Sequence, residues 1–272
     1  MKIPFMKMSG SGNDFILIDH RKPFLDQGLL KAFIRSVCRR RVSVGADGLI
    51  LIEQSEQADF KWHFYNADGS EAEMCGNGGR CAARFASLKE IAGPSLTFET
   101  LAGILSAQVN GKRVKLEMTH PHDIKLDESI PVEGQEVILS RINTGVPHTV
   151  FFPKDIEDVD VIRVGREIRF HPHFAPSGTN VNFVRVDDGS QLSLRTYERG
   201  VEDETLACGT GAVASALIAA LKGWVNSPVT IRTRGGETLQ VYFDIEGMEV
   251  KQAFLEGDVH IIYEGEMWEE AY

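Results

Sequence analysis

Cysteines and long apolar runs are scarce in this chain of 272 residues, and basic residues are fewer than acidic ones. The 29 lysines and arginines face 39 aspartates and glutamates, so the formal net charge is −10 at pH 7. A chain this acidic is poorly suited to nucleic acids and anionic membranes, and we expect neither as a partner. The longest uncharged run, residues 205–221, is shorter than the roughly 18–20 apolar residues of a membrane-spanning helix. That run predicts a buried helix with its lead-in loop.

Signals for export and for disulfide or zinc scaffolds are also missing. Lys2, Pro4 and Lys7 interrupt the N-terminal segment, which therefore lacks the apolar core of a signal peptide. The cysteines are too few for a disulfide scaffold, and no pair has the C-x-x-C spacing of zinc ribbons or thioredoxin-type redox sites. They are Cys38, Cys75, Cys81 and Cys208. We predict a cytoplasmic protein with free thiols.

Two further patterns are weak indications of a cofactor or a metal. Gly209-x-Gly211-x-x-Ala214 formally matches a dinucleotide-binding fingerprint, but an acidic loop precedes it and no acidic residue follows about 20 positions later. His120-Pro121-His122 and His171-Pro172-His173 have no neighbouring carboxylate–cysteine set, so loop histidines are the simpler interpretation. We therefore predict no cofactor and no metal site.

Short strands separated by turns make up most of the chain. Helical spacing of apolar residues over 25–41 predicts an early helix with Cys38 on its buried face. Because few β-α-β units occur, a doubly wound parallel sheet is not expected. The turn signal Asn110-Gly111 predicts a hairpin. The three predicted hairpins span 104–118, 181–197 and 229–243, and strands follow at 248–254 and 259–263.

The chain contains an internal repeat, in which each half carries a strand, an acidic loop, a cysteine motif, a helix and further strands. The two motifs are Cys75-Gly76-Asn77-Gly78 and Cys208-Gly209-Thr210-Gly211. We predict an α+β fold of two pseudo-symmetric domains, each a mostly antiparallel β-structure wrapped around a central helix. The domain of Cys75 comprises 1–118 and the C-terminal strand 259–272, and the domain of Cys208 comprises 119–258. The flanking strands are 60–65 and 96–100 in the first half and 192–197 and 229–234 in the second.

Each repeated cysteine precedes a predicted helix, where unpaired backbone N–H groups and the helix dipole favour negative charge. Such a position lowers the pKa of a thiol from about 8.5 towards neutrality. The same N–H groups can bind a carboxylate and stabilise enolate-like charge. Inverting a carbon that bears hydrogen requires a base on one face and an acid on the other. The two motifs therefore predict a cofactor-free racemase or epimerase with Cys75 and Cys208 as the acid/base pair.

An isolated cysteine before a helix is more often a small buried hydrophobic residue, and the matched contexts are what favour a function. Cys81 has no such context. It follows Cys75 by six positions, which rotates it about 240° around the helix, so we assign it to the core.

Several motifs closely resemble those of the diaminopimelate epimerase family. The resemblance covers residues 10–211 in the expected order, and the chain length is also that of the family. The motifs are Gly12-Asn13-Asp14-Phe15, Asn66-Ala67-Asp68-Gly69-Ser70, Cys75-Gly76-Asn77-Gly78-Gly79-Arg80-Cys81, Glu198-Arg199-Gly200 and Ala207-Cys208-Gly209-Thr210-Gly211.

The resemblance implies a pyridoxal-phosphate-independent isomerase that interconverts LL- and meso-2,6-diaminopimelate, a precursor of lysine and of peptidoglycan cross-links. It implies two pseudo-symmetric domains that close on the substrate, Cys75 and Cys208 as the catalytic pair, and a homodimer. His148 matches a family histidine that tunes a catalytic thiol, and Glu198 is assigned to the same task. The implied substrate-binding residues are Asn13, Asn66, Gly76, Asn77, Asn180, Glu198, Arg199, Gly209 and Thr210.

Without the resemblance, Asn66 is an ordinary turn residue, Asn13 a cap or loop residue, and Glu198-Arg199 a surface pair at a strand end. Three positions also depart from the family pattern. The family often has asparagine at Val146 and glutamine at Gly48, so two substrate contacts differ here. The loop 201–205 is longer by a residue and more acidic.

Two other functions fit the paired cysteines. A related racemase would act on proline or hydroxyproline, but that smaller substrate does not need Arg199, Asn66 or Asn180. A redox switch would instead join Cys75 and Cys208 in a regulated disulfide, and it would show no epimerisation in either redox state.

Overall fold

The computed structural model describes residues 2–72 and 74–272, which form two compact units. Unit 1 comprises Met1–Leu116 and Gly257–Tyr272, and unit 2 comprises Glu117–Glu256. No helix in the described ranges is long and apolar enough to cross a bilayer. The domain bounds predicted from the sequence stay a prediction.

Unit 1 is a mixed sheet curled around one helix. Its strands pair antiparallel except for two parallel neighbours, β2–β3 and β4–β6. The strands are β1 (Ile3–Gly10), β2 (Asn13–Asp19), β3 (Gly48–Glu53), β4 (Phe60–Asn66), β5 (Glu71–Ala72), β6 (Ser95–Thr100), β7 (Gly103–Asn110) and β8 (Arg113–Glu117). The helices are α1 (Gln27–Val37) and α2 (Gly76–Leu88).

The helix α2 lies at the centre of unit 1. Its residues from Gly76 to Ala83 are all buried, as are Phe85 and Ala86. Its apolar side chains pack in one cluster with side chains such as Phe15, Trp62 and Phe98 from the surrounding strands. A second cluster places α1 on the other face of the sheet. The burial of apolar area on both faces of the sheet stabilises unit 1.

Unit 2 repeats this arrangement. Its parallel neighbours are β11–β12 and β13–β15, and its other strand pairs are antiparallel. The strands are β9 (His122–Val132), β10 (Gln135–Asn143), β11 (Pro147–Phe151), β12 (Asn180–Asp188), β13 (Gln191–Glu198), β14 (Asp203–Thr205), β15 (Val229–Arg232), β16 (Thr238–Glu246) and the first part of β17 (Glu249–Met267), whose residues from Gly257 onwards belong to unit 1. The helices are α3 (Val161–Arg169) and α4 (Gly209–Leu221), and a short 3-10 helix spans Pro172–Phe174. A second 3-10 helix, Glu269–Ala271, belongs to unit 1.

The helix α4 is the central helix of unit 2, as its apolar sequence predicts. Ten of its residues are buried, among them the continuous run from Gly211 to Ala219. They pack in one cluster with residues of β10, β12, β13, β15 and β16. The predicted repeat extends to the pairing pattern: α1 and α3 each connect parallel neighbours, and so do α2 and α4. The predicted α+β fold is confirmed.

Most predicted elements are confirmed, with corrections at their ends. The predicted helix 25–41 is shorter and spans Gln27–Val37. The two predicted C-terminal strands are one continuous strand, β17, which pairs with β16 over its first part and with β1 over its last. Both acidic loops contain a short strand, β5 or β14, because each turns back along the strand before it.

Gly165 shows how closely helix and sheet approach in unit 2. A Cβ atom at Gly165 in α3 would lie 2.5 Å from Cβ and 2.7 Å from Cγ of Tyr197, which is fully buried in β13. Alanine usually stabilises a helix relative to glycine, but here it must displace the ring or the helix. We expect Gly165→Ala to lower the free energy of unfolding by about 1–3 kcal/mol, measured by urea denaturation.

The matched control is Gly189→Ala, in the turn between β12 and β13. Apart from the adjacent residues of the chain, no atom of residues 2–72 and 74–272 lies within 4 Å of a Cβ atom built at Gly189, so this variant should keep nearly the wild-type stability. If both variants unfold at the same urea concentration, the close packing of α3 on Tyr197 does not limit stability.

Candidate active site

The two repeated cysteines occupy the same structural position, the N-cap of the central helix. Cys75 precedes α2 with extended backbone angles, and its Sγ accepts a hydrogen bond from the Gly78 N–H at 3.4 Å. Cys208 precedes α4 in the same conformation, and its Sγ lies 3.6 Å from Oγ1 of Thr210. Cys75 is half-buried and Cys208 is buried. The first-turn N–H groups of a helix have no intrahelical acceptor, so each thiol lies where negative charge is favoured.

The other two cysteines have a different environment. Cys38 and Cys81 are buried within apolar clusters, as predicted. Burial raises the pKa of Cys38 to about 11, and it raises that of Cys81 further. Neither thiol is suited to act as a base near neutral pH, because the thiolate is the reactive form.

We call Ser11, Asn13, Asn77 and Arg80 the Cys75 half-site, because hydrogen bonds connect them beside the first turn of α2. Nδ2 of Asn77 donates to Oδ1 of Asn13 at 2.6 Å. Arg80 is fully buried, and its Nη2 donates to Oδ1 of Asn77 at 2.9 Å and to Oγ of Ser11 at 2.7 Å. The structure thus brings together two predicted substrate-binding residues, Asn13 and Asn77, and fixes the orientation of their amides.

An ion-pair cluster supports Asn13 from the other side. Nδ2 of Asn13 lies 3.2 Å from Oδ2 of Asp47, and Arg40 bridges Asp47 and Asp14 with bonds of 2.8 and 2.6 Å. Lys7, which is buried, lies 2.8 Å from Asp14. Burial acts to raise the pKa of Asp14, but hydrogen bonds from Arg40 and Lys7 outweigh it and lower that pKa to about 2. Asp14 therefore stays charged and holds the β1–β2 turn in place.

We call His148, Asn180, Asn182 and Thr196 the Cys208 half-site. Asn180 is buried at the start of β12, where Nδ2 donates to the Pro147 carbonyl at 3.0 Å and Oδ1 accepts from the Arg199 N–H at 2.9 Å. It therefore ties the ends of β11 and β13 together. Its direct contact with a substrate stays a prediction.

Glu198 is the last residue of β13, Arg199 follows it, and both are half-buried, so they are not the exposed pair that the sequence without the family resemblance suggested. Burial raises the pKa of Glu198, and a hydrogen bond with Thr205 opposes the increase. Arg199 donates to the Ser177 carbonyl at 3.2 Å. Asn66, in contrast, is exposed at the end of β4, where its Nδ2 donates to Oγ of Ser70 at 3.1 Å.

Comparison with known proteins identifies the family. The profile described as Diaminopimelate epimerase matches residues 5–123 and 140–261. The chain is 50% identical to a diaminopimelate epimerase of Aquifex aeolicus, over 98% of this chain and 98% of the relative. It is 46% identical to the diaminopimelate epimerase of a Hydrogenobaculum species, over 95% of this chain and 96% of the relative. The chain belongs to the diaminopimelate epimerase family. The predicted family and the predicted class, an isomerase, are thereby confirmed.

Solved structures outside the family share the fold. A Bacillus anthracis phenazine biosynthesis protein of the PhzF family has a TM-score of 0.73 at 18% identity, over 98% of this chain and 99% of that one. A hydroxyproline epimerase of Agrobacterium vitis has a TM-score of 0.73 at 16% identity, over 98% of this chain and 92% of that one. At such identities the similarity concerns the fold alone.

The structure explains one departure from the family pattern. A Cβ atom at Gly48 would lie 2.6 Å from both Cε2 of Phe64 and the carbonyl oxygen of Tyr65. A side chain at position 48 would require β4 to shift, so in this chain the glycine allows β3 and β4 to pack closely. The longer acidic loop is also anchored, because Glu202 accepts from the Gly200 N–H at 3.0 Å and pairs with Arg169 at 3.2 Å.

Sequence reasoning missed Asn182, Arg80 and Ser11. Asn182 carried a signal, since the period of two along Asn180-Val181-Asn182 places both amides on the same face of β12. No sequence pattern pointed to the contact between Arg80 and Ser11, because it joins parts of the chain that only the fold brings together.

His148 makes the stability of this epimerase-family protein sensitive to acid. Burial, with a smaller effect of the positive charge of Arg199, lowers the pKa of His148 from 6.5 to about 3. The unfolded chain therefore binds this proton more readily, and the stabilisation is complete above pH 6.5 and lost as pH falls towards 3. We expect His148 to contribute a slope of up to about 1.4 kcal/mol per pH unit within that range.

Urea unfolding of wild type and His148→Gln at about pH 7 and about pH 5 measures this slope, because other titrating groups cancel in the difference. The wild type should lose more stability on acidification than the variant. His120→Gln, at an exposed position, is the control and should follow the wild type. Parallel losses in all three proteins would show that His148 is not held neutral by burial.

Proposed function

We propose that this chain interconverts LL- and meso-2,6-diaminopimelate by transferring the α-proton through Cys75 and Cys208, without a cofactor. The observation that carries the proposal is the matched N-cap position of the two thiols, each at the start of the buried central helix of its unit. A thiolate at one such position can remove the α-proton, and a thiol at the other can return a proton to the opposite face. Their roles exchange when the reaction runs in reverse.

The first turns of α2 and α4 are proposed to hold the reacting carboxylate. The backbone N–H groups of Gly76, Asn77, Gly209 and Thr210 carry partial positive charge there and can stabilise the enolate-like charge that develops as the proton leaves. The carbonyl of Thr210 already accepts from Oγ1 of Thr144 at 3.1 Å, which supports the turn without using an N–H group.

The remainder of the substrate, with its distal ammonium and carboxylate, is assigned to Asn13, Asn66, Asn180, Glu198 and Arg199. The half-buried Glu198 and Arg199 offer charges of opposite sign at one strand end, which suits a zwitterionic group. A site built on hydrogen bonds rejects analogues that leave its buried groups unpaired. Glu198 and His148 are also proposed to tune a catalytic thiol, His148 as a neutral ring.

A cytoplasmic homodimer is proposed as the working form. The sparse cysteines, with no pair at C-x-x-C spacing, support the location, and the family resemblance supports the dimer. Light scattering coupled to gel filtration tests the dimer, and a monomeric mass over the concentration range of the activity assay would contradict it.

Proton NMR of the reduced protein with LL-diaminopimelate in D₂O, with no added cofactor, tests the function. We expect the α-proton signal to disappear while the meso isomer accumulates. No exchange from the folded, reduced protein would remove diaminopimelate as the substrate. A parallel sample with L-proline identifies the related racemase if exchange occurs there instead, and exchange in neither sample favours a redox role for the thiols.

A further inference from the structure

The side chain of Asn182 has neighbours that leave its amide a single orientation. It is fully buried in β12, and its Nδ2 lies 3.0 Å from the carbonyl oxygen of Thr149 and 3.0 Å from Nδ1 of His148. Its Oδ1 lies 3.0 Å from Oγ1 of Thr196. A backbone carbonyl can only accept, so the nitrogen of the amide must face Thr149 and therefore also His148.

This orientation determines which ring nitrogen of His148 carries the proton. Because Nδ2 of Asn182 donates, Nδ1 of His148 must accept and is unprotonated. In a neutral imidazole the proton then lies on Nε2. Neutrality is supported by the burial of the ring, which lowers the pKa of His148 to about 3.

The same amide contacts the helix that begins at Cys208. A Cβ atom at Gly211 would lie 2.3 Å from Oδ1 of Asn182 and 3.2 Å from Sγ of Cys208. Only glycine permits this approach, so Asn182 packs directly against the first turn of α4. One side chain thus touches both the imidazole of His148 and the turn that presents the Cys208 thiol.

We propose that Asn182 is a positioning residue that fixes His148 as the neutral Nε2–H tautomer and packs the first turn of α4 beside Cys208. The effect of Asn182 on catalysis rests on the proposed function, whereas its effect on the His148 ring does not. Nε2 of His148 is buried and has no hydrogen-bond partner within residues 2–72 and 74–272. His148 also lines a cavity of about 190 Å³ in unit 2, together with Asn143, Ser177 and Thr179.

In this form His148 tunes a thiol or a substrate group by donating a hydrogen bond, and it does not act as a base. Nε2 already carries a proton and has no free lone pair, so it can donate a hydrogen bond but cannot accept a proton. The donor is held ready because Asn182 prevents the proton from moving to Nδ1. Asn182 therefore acts through His148 and α4, without touching the reacting atoms.

Nitrogen-15 NMR of the histidine rings in the wild-type protein tests the tautomer directly, with the His148 signals identified by their absence from His148→Gln. We expect an unprotonated Nδ1 and a protonated Nε2 near neutral pH. In Asn182→Asp the carboxylate cannot donate, so the proton should move to Nδ1 or the ring should become doubly protonated. A wild-type ring protonated on Nδ1, or an unchanged tautomer in Asn182→Asp, would overturn the proposal.

Turnover provides the second measurement. Asn182→Asp should lower kcat about 10- to 100-fold with a smaller change in KM, since the reacting groups are misplaced rather than removed. Asn226→Asp, an exposed position in unit 2 with the same change of charge, should leave both constants unchanged. His148→Gln, whose amide nitrogen can replace Nε2–H, should retain more activity than His148→Asn. Equal activity of these two variants would contradict donation from Nε2.

The two proposals fail separately. A wild-type protein that shows the Nε2–H tautomer but does not epimerise diaminopimelate contradicts the proposed function and leaves the role of Asn182 towards the ring in place. A protein that epimerises diaminopimelate with His148 protonated on Nδ1 contradicts the inference about Asn182 alone.

Discussion

Cys75→Ala and Cys208→Ala should each abolish epimerisation, with a fall in turnover of at least about 10²–10⁴-fold. Each variant lacks the base for one direction of the reaction and the acid for the other. No neighbouring group can replace a thiol positioned at a helix N-cap. The loss of turnover is measured in both directions, as formation of the meso isomer from LL-diaminopimelate and of the LL isomer from meso-diaminopimelate.

Solvent exchange separates the roles of the two thiols. A variant that keeps one thiolate can still remove the α-proton from one face of the carbon. With each variant, deuterium should therefore be taken up by only one of the two isomers. Cys75→Ala and Cys208→Ala should differ in which isomer that is. Cys81→Ala is the control, because Cys81 is buried in α2, the helix that Cys75 caps, and should be dispensable for turnover. Near-normal epimerisation by either catalytic variant in both directions would contradict the two-base mechanism.

The position of the two thiols could be predicted from the sequence because the information is local. A cysteine followed by glycines and then by an apolar helical stretch defines an N-cap within a few residues, and the repetition of the motif defines it twice. The strands were predictable for the same reason, since period-two alternation and turn signals such as Asn110-Gly111 act over short distances.

The hydrogen bonds that orient the half-sites could not be predicted in the same way. Arg80 reaches Ser11, and Asn182 reaches His148, across separations that only the strand pairing closes. The sequence contains no period or spacing that relates such residues. The parallel pairing of β2 with β3 was also beyond local signals, because a parallel pair depends on a crossover through α1.

Replacing Arg80 with methionine should lower the free energy of unfolding by about 2–5 kcal/mol. The guanidinium is fully buried and donates to Ser11, to Asn77 and, at 3.4 Å, to the carbonyl of Gly76. Methionine fills a similar length but donates nothing, so acceptors that are themselves buried lose their partner. Urea denaturation measures the loss as a shift of the midpoint at an unchanged m-value.

Arg84→Met is the matched control, one turn later on α2. Arg84 is half-buried and donates to the carbonyl of Val259, so its removal should cost about 0.5–1.5 kcal/mol, as for an ordinary hydrogen bond. Arg80→Lys keeps the charge but loses the planar fork that reaches three acceptors, and its stability should fall between wild type and Arg80→Met. Because Arg80 orients Asn77 beside the first turn of α2, Arg80→Lys should also raise KM for diaminopimelate. If Arg80→Met is no less stable than Arg84→Met, the guanidinium does not hold the β1–β2 turn against the start of α2.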